Sequence, residues 1–368
     1  MQWTDSEIVV VGGGIMGIAT AFYLRRFGRE VILIERKGIG EEASGRNAGS
    51  LSMQNKPFPL IPLAKGGMEV WKELDTELGG LGLKQNGGFR VGETEEDLER
   101  LRVALEVQNE HGLNVRHLSA GEIQDAAPYL SPSLTGANFC PTDGFVDALT
   151  ATKQIAGRSQ REGLKILTHT EVTQIEAKDG EVRIWTSADG GFRCQRVVVA
   201  TSAWTRKLVS SLGLDLPISL SIFQLIVTPR LSPFIHHMIT HVKGHLTVKQ
   251  LGVGSVLIGG GWRGKGNLEK DRKLVNYNSI LGNVYVAAKV IPKLANTVAI
   301  RMWSGFDGRT EDELPLLGPL PGKENVLLAG NSFGGFTVGP YIGKLLAQKI
   351  HTGQSEVSLE TFSPARYL

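Results

Sequence analysis

Apolar residues near the N-terminus occur in two short runs on either side of a longer mixed stretch. The run EIVVV at residues 7–11 predicts a buried strand, and EVILIE at residues 30–35 predicts a second strand. Between them, residues 15–27 predict a helix, and three consecutive glycines stand in front of it. Strand, tight turn, helix and strand in this order predict the first unit of a Rossmann-type α/β domain.

Three further regions carry comparable patterns. Residues 164–200 alternate as short strands and end in the apolar run RVVVA, and residues 325–350 again predict strand, glycine-rich turn and helix. Residues 94–112 predict an amphipathic helix with a glycine stop, and Ser119 with Glu122 forms a capping-box pattern. The segments ISLSIFQLIVTPRL, MITHVKGHLTVKQL and GSVLIGGGW predict strands.

Three glycines at the first turn have a spacing typical of dinucleotide-binding domains. Gly12, Gly14 and Gly17 form G-x-G-x-x-G between strand and helix. The first permits the turn, the second lets the backbone approach a pyrophosphate, and the third lets the helix pack on the sheet. Glu35 lies 18 residues beyond Gly17, where a carboxylate accepts hydrogen bonds from ribose hydroxyls. The pattern predicts a dinucleotide but leaves NAD and FAD open, because both kinds of enzyme share this unit.

Charge and cysteine content exclude several classes of function. The 40 Lys+Arg and 37 Asp+Glu residues are interspersed, and the net charge of +3 does not favour nucleic acid or a membrane surface as a partner. Cys140 and Cys194 form no zinc or redox motif, and an iron–sulfur cluster needs four ligands, so we expect no metal. The N-terminus lacks the basic start and cleavage site of a signal peptide. We therefore expect a cytoplasmic protein without a membrane span.

Residues 43–57, ASGRNAGSLSMQNKP, form a segment of unusual composition. It is too rich in small residues to predict a helix and too polar to predict a core strand. Yet one arginine, Arg46, stands beside Asn47 among these small residues. Small side chains permit close approach to the backbone, so the segment raises the question of which group lies against it.

Several segments together resemble one family of flavoenzymes. VVGGGIMG, IERK, SGRNAG, EVTQI, VVVATSAW, WSGFDGRTEDELPLLGP and LLAGNSFGGFTVGP resemble, in this order and over almost the whole chain, the D-amino-acid oxidase, glycine oxidase and sarcosine oxidase family. Within it, SGRNAGSLSMQNKP is most similar to the FAD-carrying catalytic subunits of multi-subunit amine dehydrogenases. These include opine oxidases, hydrogen cyanide synthase and D-hydroxyproline dehydrogenase. The resemblance implies non-covalently bound FAD and oxidation of a C–N bond.

The resemblance also implies how the chain is divided. Residues 1–80, 144–215 and 298–368 would form a discontinuous FAD-binding domain of Rossmann type. Residues 81–143 and 216–297 would form a substrate-binding domain, whose mostly antiparallel sheet lies over the flavin. The expected fold class is α/β, or α+β overall, with the two domains interleaved along the sequence.

Most of the expected cofactor site follows from the same resemblance. Arg46 would face phosphate, residues 47–51 would lie along the flavin, and Val172 would meet the adenine through its backbone. Residues 334–337 would lie under the pyrimidine end of the flavin, where their N–H groups would stabilise negative charge. The predicted cofactor-binding residues are Gly12, Gly14, Ile15, Met16, Gly17, Glu35, Arg36, Ser44, Arg46, Asn47, Ala48, Gly49, Ser50, Leu51, Val172, Ala200, Thr201, Trp204, Gly305, Gly330, Gly334, Gly335, Phe336 and Thr337.

The substrate site departs from simple amino-acid oxidases of this family. Asp307 stands where they place a carboxylate-binding arginine, and Phe333 replaces a second arginine of glycine-oxidase-like members. Gly305 stands where sarcosine oxidase has its flavin-linking cysteine. Asp307 would bind a positive group of the substrate, or would instead turn outward and pair with Arg309 or Arg301. The substrate candidates are Lys249, His245, Arg301, Asp307 and Gln54, with Lys249 and Arg301 equally consistent with unpaired surface cations.

Three functions are compatible with the resemblance. In the first, flavin accepts a hydride from the carbon beside an amine, the imine hydrolyses, and electrons pass to a partner subunit in a hetero-oligomer. The substrate would be an amino-acid-derived secondary amine, such as the opines nopaline and octopine. In the second, the chain is a self-sufficient oxidase that uses oxygen. In the third, it is a non-catalytic flavin-binding subunit that relays electrons.

Overall fold

A computed structural model describes residues 2–188 and 190–368. Its strands are β1 (Gln2–Val11), β2 (Val31–Ile34), β3 (Ser50–Leu51), β4 (Gly88–Gly92), β5 (Arg116–Ser119), β6 (Gly136–Cys140), β7 (Gly144–Phe145), β8 (Lys165–Leu167), β9 (Val172–Lys178), β10 (Glu181–Thr186), β11 (Gly190–Val199), β12 (Ser219–Arg230), β13 (Met238–His241), β14 (Thr247–Gln250), β15 (Ser255–Gly259), β16 (Lys265–Asn267), β17 (Arg272–Leu274), β18 (Arg301–Arg309), β19 (Leu316–Leu320) and β20 (Lys323–Gly330). Its α-helices are α1 (Ile15–Arg26), α2 (Ala43–Arg46), α3 (Ile61–Glu77), α4 (Glu95–Glu110), α5 (Ala120–Ala126), α6 (Ala148–Arg161), α7 (Thr205–Ser210), α8 (Tyr277–Val290) and α9 (Gly335–Thr352).

The first sheet has a parallel centre. Its strand order is β19-β20-β11-β1-β2-β8, and β10 and β9 extend from β11 as an antiparallel pair. Val9 of β1 aligns with Val197 on one side and with Ile32 on the other, both in parallel register. Apolar clusters cover both faces of this sheet, which is why its central strands are continuously hydrophobic. With α1 following β1, the sheet confirms the predicted Rossmann-type unit.

Helix α9 packs against α1. A Cβ on Gly343 would lie 2.5 Å from the Cβ of Ala19, so the helices meet where one of them has no side chain. Helix α9 follows Gly334, whose φ is +57°, and ends before Gly353, whose φ is +85°. Across residues 2–188 and 190–368, neither this helix nor any other has the length and apolar character needed to cross a membrane.

The second sheet is mostly antiparallel. Its order is β18-β12-β15-β14-β13-β4-β6-β5, in which β13 and β4 are parallel. Helix α8 covers one face, where Ile280 and Ala287 pack with the sheet residues Ile226 and Ile258. The two sheets together confirm the predicted mixed fold. The predicted boundary at residue 298 would assign β18 to the FAD-binding domain, whereas β18 pairs with β12 throughout and so belongs to the second sheet.

The segment of small residues is more regular than its composition predicts. The expectation of an irregular segment is wrong, because residues 43–46 form one turn of helix and Ser50–Leu51 pair with β7. A Cβ on Gly45 would lie 2.1 Å from the carbonyl oxygen of Gly40, and a Cβ on Gly49 would lie 2.0 Å from that of Val146. These glycines are therefore required by the protein's own backbone.

Candidate active site

A cavity of about 690 Å³ lies where the ends of β1, β2, β11 and β20 face the second sheet. Its walls come from both sheets, since Phe223 and Leu225 of β12 line it together with Val11 and Ala329. The carboxyl ends of parallel strands and the turns that follow them are the usual place for a ligand in α/β proteins.

The turn before α1 shows how each glycine of the motif is used. A Cβ on Gly12 would lie 2.3 Å from the carbonyl oxygen of Ala200, and one on Gly17 would lie 2.0 Å from that of Gly12. A Cβ on Gly14, by contrast, would meet only the Oγ of Ser44, at 3.0 Å. Ser44 Oγ also accepts a hydrogen bond from Ile15 N at 2.8 Å. Gly14 is thus the glycine that leaves the N-terminus of α1 open to the cavity.

Glu35 lies at the rim of the cavity, at the end of β2. Its two carboxylate oxygens accept hydrogen bonds from the backbone N–H groups of Gly13 and Lys37, both at 2.7 Å. Each oxygen retains acceptor capacity, so the carboxylate is fixed in place and still able to bind a hydroxyl. Beside it, the guanidinium of Arg36 lies 3.7 Å from the ring centroid of Trp204 and forms one wall.

The turn before α9 forms the other end of the cofactor part of the cavity. Gly334, Gly335 and Phe336 line the cavity here, and Lys56 Nζ donates to the carbonyl oxygen of Gly334 at 3.3 Å. Burial lowers the pKa of Lys56 to about 8, although Asp143 acts in the opposite direction. A second helix N-terminus and a cation therefore face the same cavity as α1.

These features fit a dinucleotide that carries a pyrophosphate. The space left by Gly14 at a helix N-terminus suits the phosphates, and the fixed carboxylate of Glu35 suits a ribose. The predicted cofactor residues that line the cavity are Gly12, Gly14, Ile15, Met16, Glu35, Arg36, Ser44, Asn47, Ala48, Ser50, Val172, Ala200, Thr201, Trp204, Gly330, Gly334, Gly335 and Phe336.

Arg46 is not among the residues that line the cavity, so phosphate binding by Arg46 stays a prediction. Its Nε donates to the carbonyl oxygen of Glu41 at 2.6 Å and its Nη1 to that of Ser304 at 3.2 Å. Trp303 Nε1 donates in return to the carbonyl oxygen of Arg46 at 2.9 Å. The helical turn α2 directs this side chain towards β18, where it joins the two sheets, and leaves Ser44 facing α1.

Five other predicted cofactor residues also lie outside the cavity wall. Thr337 is fully buried and its Oγ1 donates to the carbonyl oxygen of Ser50 at 3.1 Å. Gly305 lies under the ring of Phe223, where a Cβ would be 2.4 Å from a ring carbon. The predicted residues outside the wall are therefore Gly17, Arg46, Gly49, Leu51, Gly305 and Thr337, whose roles are to pack or to hold the segments that do line the cavity.

The substrate candidates divide in the same way. His245 and Asp307 line the cavity, whereas Gln54, Lys249 and Arg301 do not. Gln54 is buried and donates to the carbonyl oxygen of Gly88 and to Asp143, at 2.9 and 3.1 Å. Arg301 is exposed at the start of β18. Direct substrate contact by these three residues stays a prediction, which their positions outside the cavity wall do not support.

Asp307 belongs to a charged group that the sequence interpretation recognised only in part. Its Oδ2 accepts from Arg309 Nε at 3.1 Å, and its Oδ1 accepts from Ser202 Oγ at 3.4 Å. Arg309 and Arg263 line the same cavity. Burial raises the pKa of Asp307, and the neighbouring Arg309 opposes this effect. The pairing with Arg309 follows the alternative considered above, but Asp307 faces the cavity and does not turn outward.

Arg309 could have been found from the sequence, because side chains two residues apart on a strand share a face. If Asp307 lies in the site, Arg309 on the same face of the strand is expected to lie there too. Its guanidinium lies 4.9 Å from the ring centroid of Phe333, the residue that replaces the second arginine of glycine-oxidase-like members. Arg263 lies beyond β15 in an isolated antiparallel bridge with Phe223, and no periodic signal points to it.

Lys249 is not a surface cation. It is 0% exposed, and its Nζ donates to Ser50 Oγ at 2.5 Å. Burial lowers the pKa of Lys249 to about 7. The chain thus holds an ionisable amine directly behind a cavity-lining serine.

We expect the Lys249→Met variant to be more stable than the wild type, most of all below pH 7. An unfolded lysine keeps its proton up to a pKa of 10.5, whereas folded Lys249 loses it at about 7, so folding releases a proton between these values. Wild-type stability therefore rises with pH across this window, by at most about 1.4 kcal/mol per pH unit, and methionine lacks this dependence. Thermal unfolding over the window measures the difference.

The matched control is Lys165→Met, on the exposed strand β8. This variant should keep the pH dependence of the wild type. If Lys249→Met also keeps it, the lowered pKa of Lys249 is contradicted.

Comparison with known proteins agrees with this geometry. The sequence profile of the family described as FAD dependent oxidoreductase, or DAO, matches residues 7–349. Glycine oxidase of Geobacillus kaustophilus (strain HTA426) is 27% identical, over 98% of this chain and 97% of that protein. One subunit of the opine oxidase of Rhizobium meliloti is 26% identical, over 99% of this chain and 98% of that polypeptide. The crystal structure of L-proline dehydrogenase from P. horikoshii superposes with a TM-score of 0.90 at 28% identity, covering 98% of this chain and 97% of that one.

Proposed function

This chain belongs to the DAO family of FAD-dependent oxidoreductases, which act on amino-acid C–N bonds, and from this premise we propose that its substrate is an opine. In the proposed reaction a secondary amine is oxidised to an imine, which water hydrolyses. The electrons then pass to a partner subunit. FAD, when bound, supplies the two-electron chemistry by accepting a hydride.

The residues of this chain hold and orient the reactants. The N-terminus of α1, opened by Gly14 and bordered by Ser44, would hold the pyrophosphate, and Glu35 would hold the ribose. At the other end, the turn before α9 and the cation of Lys56 would stabilise negative charge. Asp307, Arg309 and Arg263 line the same cavity, and the proposed place for the substrate is beside them.

The observation that carries the opine proposal is the mixed charge at this end of the cavity. Arg263, Arg309, Asp307 and Glu313 line it, and Asp307 with Arg309 forms an ion pair of which the two side chains are 20% and 16% exposed. An opine made from arginine carries carboxylates and a guanidinium, so each of its charges meets an opposite one. Arginine binds carboxylate and aspartate binds guanidinium in bidentate geometry. Glycine, by contrast, has no group for Asp307.

We expect Asp307→Asn to weaken the use of a guanidinium-bearing opine selectively. The loss of one charge-assisted pair should raise KM for octopine or nopaline about 10-fold to 100-fold, from roughly 1.5–3 kcal/mol. An analogue without the guanidinium should show little change in KM. Steady-state kinetics with both substrates measure the difference, and an equal effect on the two rejects the assignment of Asp307.

The partner subunit is the second part of the proposal. The opine oxidase relative is by its name one polypeptide of a larger enzyme, and this chain matches it over nearly its full length. We expect the natively isolated enzyme to contain at least one other chain, which native mass measurement would detect. Homomeric protein with full dye-linked turnover and fast reoxidation in air would instead favour a self-sufficient oxidase, the activity in the name of the glycine oxidase relative.

A further inference from the structure

Lys249 is a buried amine, and in the described part of the chain it has one hydrogen-bond partner. It lies on β14, is 0% exposed, and contacts Ser50 Oγ at 2.5 Å. An ammonium group has three donors, so a single partner leaves its charged form poorly stabilised inside the protein. Among residues 2–188 and 190–368 no carboxylate shifts its pKa, which burial lowers. The surroundings of Lys249 therefore favour the neutral amine, which can accept a proton.

Ser50 is the connection between Lys249 and the cavity. Ser50 lines the cavity, and so does Thr247, which lies two residues before Lys249 on the same face of β14. Thr247 Oγ1 lies 3.3 Å from Ser50 Oγ. Lys249 itself does not line the cavity and is connected to it by its hydrogen bond to Ser50. A proton from the cavity can therefore reach Lys249 through the Ser50 hydroxyl.

The reaction creates a need for such a path. Hydride leaves the carbon beside nitrogen only when the nitrogen has a free lone pair to form the imine. Amines of this type have pKa values of roughly 8 to 10 in water, so they arrive mostly as ammonium ions at neutral pH. One proton must therefore leave the bound substrate before oxidation.

We propose that Ser50 and Lys249 form the route by which the substrate ammonium loses this proton. Ser50 Oγ accepts the proton from the substrate nitrogen and releases its own hydroxyl proton to Lys249 Nζ. The neutral lysine becomes an ammonium and the substrate becomes a neutral amine, so charge and atoms balance. This inference rests on the proposed amine oxidation and adds the proton acceptor to it.

Three other titratable groups around β14, His241, Lys243 and Asp143, have polar partners of their own. His241 Nε2 lies 3.8 Å from Glu93, and Lys243 Nζ lies 3.2 Å from Asp97. The titratable groups on the elements that pack against β14 are His241, Lys243, His245 and Asp143. Asp143, next to β7, accepts hydrogen bonds from Ser52, Met53 and Gln54. His245 lines the cavity and stacks on His241, with ring centroids 6.3 Å apart. The pKa of Lys249, at about 7, suits proton acceptance near neutral pH, and its hydrogen bond to Ser50 connects it to the cavity.

The test follows reduction of the FAD-loaded enzyme by an active amine, without oxygen, as a function of pH. In the wild type the rate constant should rise through a pKa near 7, that of Lys249. In Lys249→Met this step should disappear and the rate at neutral pH should fall about 100-fold, a usual effect of losing a general base. Lys249→Arg should behave like Lys249→Met, because arginine keeps the charge but does not accept a proton. Ser50→Ala should show the pH profile of Lys249→Met, because it removes the hydroxyl that connects the cavity to Lys249.

A second readout needs no turnover. In enzyme labelled with ¹⁵N-lysine, the Lys249 signal is assigned by its absence in Lys249→Met. An amine whose α-carbon carries no hydrogen binds without reacting. Above pH 7 its binding should convert the Lys249 signal from the neutral to the protonated form. Ser50→Ala should abolish this conversion.

The outcomes separate the two proposals. If no amine reduces the wild-type flavin, the proposed function and this inference both fail. If amines reduce it but Lys249→Met keeps the wild-type pH profile, or Lys249→Arg restores activity, only the role of Lys249 as proton acceptor is overturned.

Discussion

The Gly14→Val variant should be isolated without FAD. A Cβ at this position already lies 3.0 Å from Ser44 Oγ, and the branched side chain would fill the space between α1 and the pyrophosphate. Overpacking of this kind costs about 1–3 kcal/mol, and the blocked N–H groups of α1 add the loss of charge-assisted bonds. Together these effects should weaken FAD binding at least about 100-fold. The measurement is the ratio of flavin to protein after purification.

The matched control is Gly121→Val, in helix α5. A Cβ there would meet nothing within 4 Å, so the same substitution should leave FAD content unchanged. Equal FAD content in Gly14→Val and the wild type would refute the assignment of this turn to the pyrophosphate.

The second large effect is expected for Arg309→Leu. This substitution leaves the carboxylate of Asp307 without its partner at 3.1 Å and removes a cation from the substrate end of the cavity. Breaking one half of a largely buried charge pair costs about 2–5 kcal/mol. We therefore expect kcat/KM for an opine to fall roughly 30-fold or more, with FAD content unchanged.

Arg301→Leu provides the control on the same strand. Arg301 lies at the exposed start of β18, outside the cavity, so its loss should leave kcat/KM close to the wild-type value. If Arg301→Leu and Arg309→Leu were equally impaired, the effect would come from β18 as a whole and not from the charge in the cavity.

The cofactor part of the site could largely be predicted from the sequence, because its elements are local. Gly12, Gly14, Gly17 and Glu35 lie within one strand–helix–strand unit, so spacing along the chain determines spacing in the fold. Strands β12 to β15 of the second sheet were predicted for the same reason, since alternation of apolar and polar residues is a local signal.

Side-chain direction in the segment at residues 43–51 could not be predicted from composition. One turn of helix sends Arg46 to the carbonyl oxygen of Ser304, which is 258 residues away in sequence. Gly49 is small because the Val146 carbonyl lies against it. Both causes are contacts between distant parts of the chain, which no local pattern contains.

Lys249 illustrates the same limit for the substrate part of the site. The sequence VKQ on a predicted strand is equally compatible with a surface lysine and with a buried one. Burial follows from β3 and β7, which place Ser50 and Phe145 against it, with Lys249 Nζ 6.0 Å from the ring centroid of Phe145. Whether Lys249 is buried or exposed is therefore decided by the packing of β3 and β7 against β14.

Anaerobic titration of the purified, FAD-loaded protein with octopine or nopaline tests amine oxidation by this chain most directly. The visible absorbance of oxidised flavin should bleach as substrate is added, with one equivalent of imine-derived product for each flavin reduced. Unchanged absorbance with every opine and amino acid supplied, in protein that retains its FAD, would contradict amine oxidation by this chain.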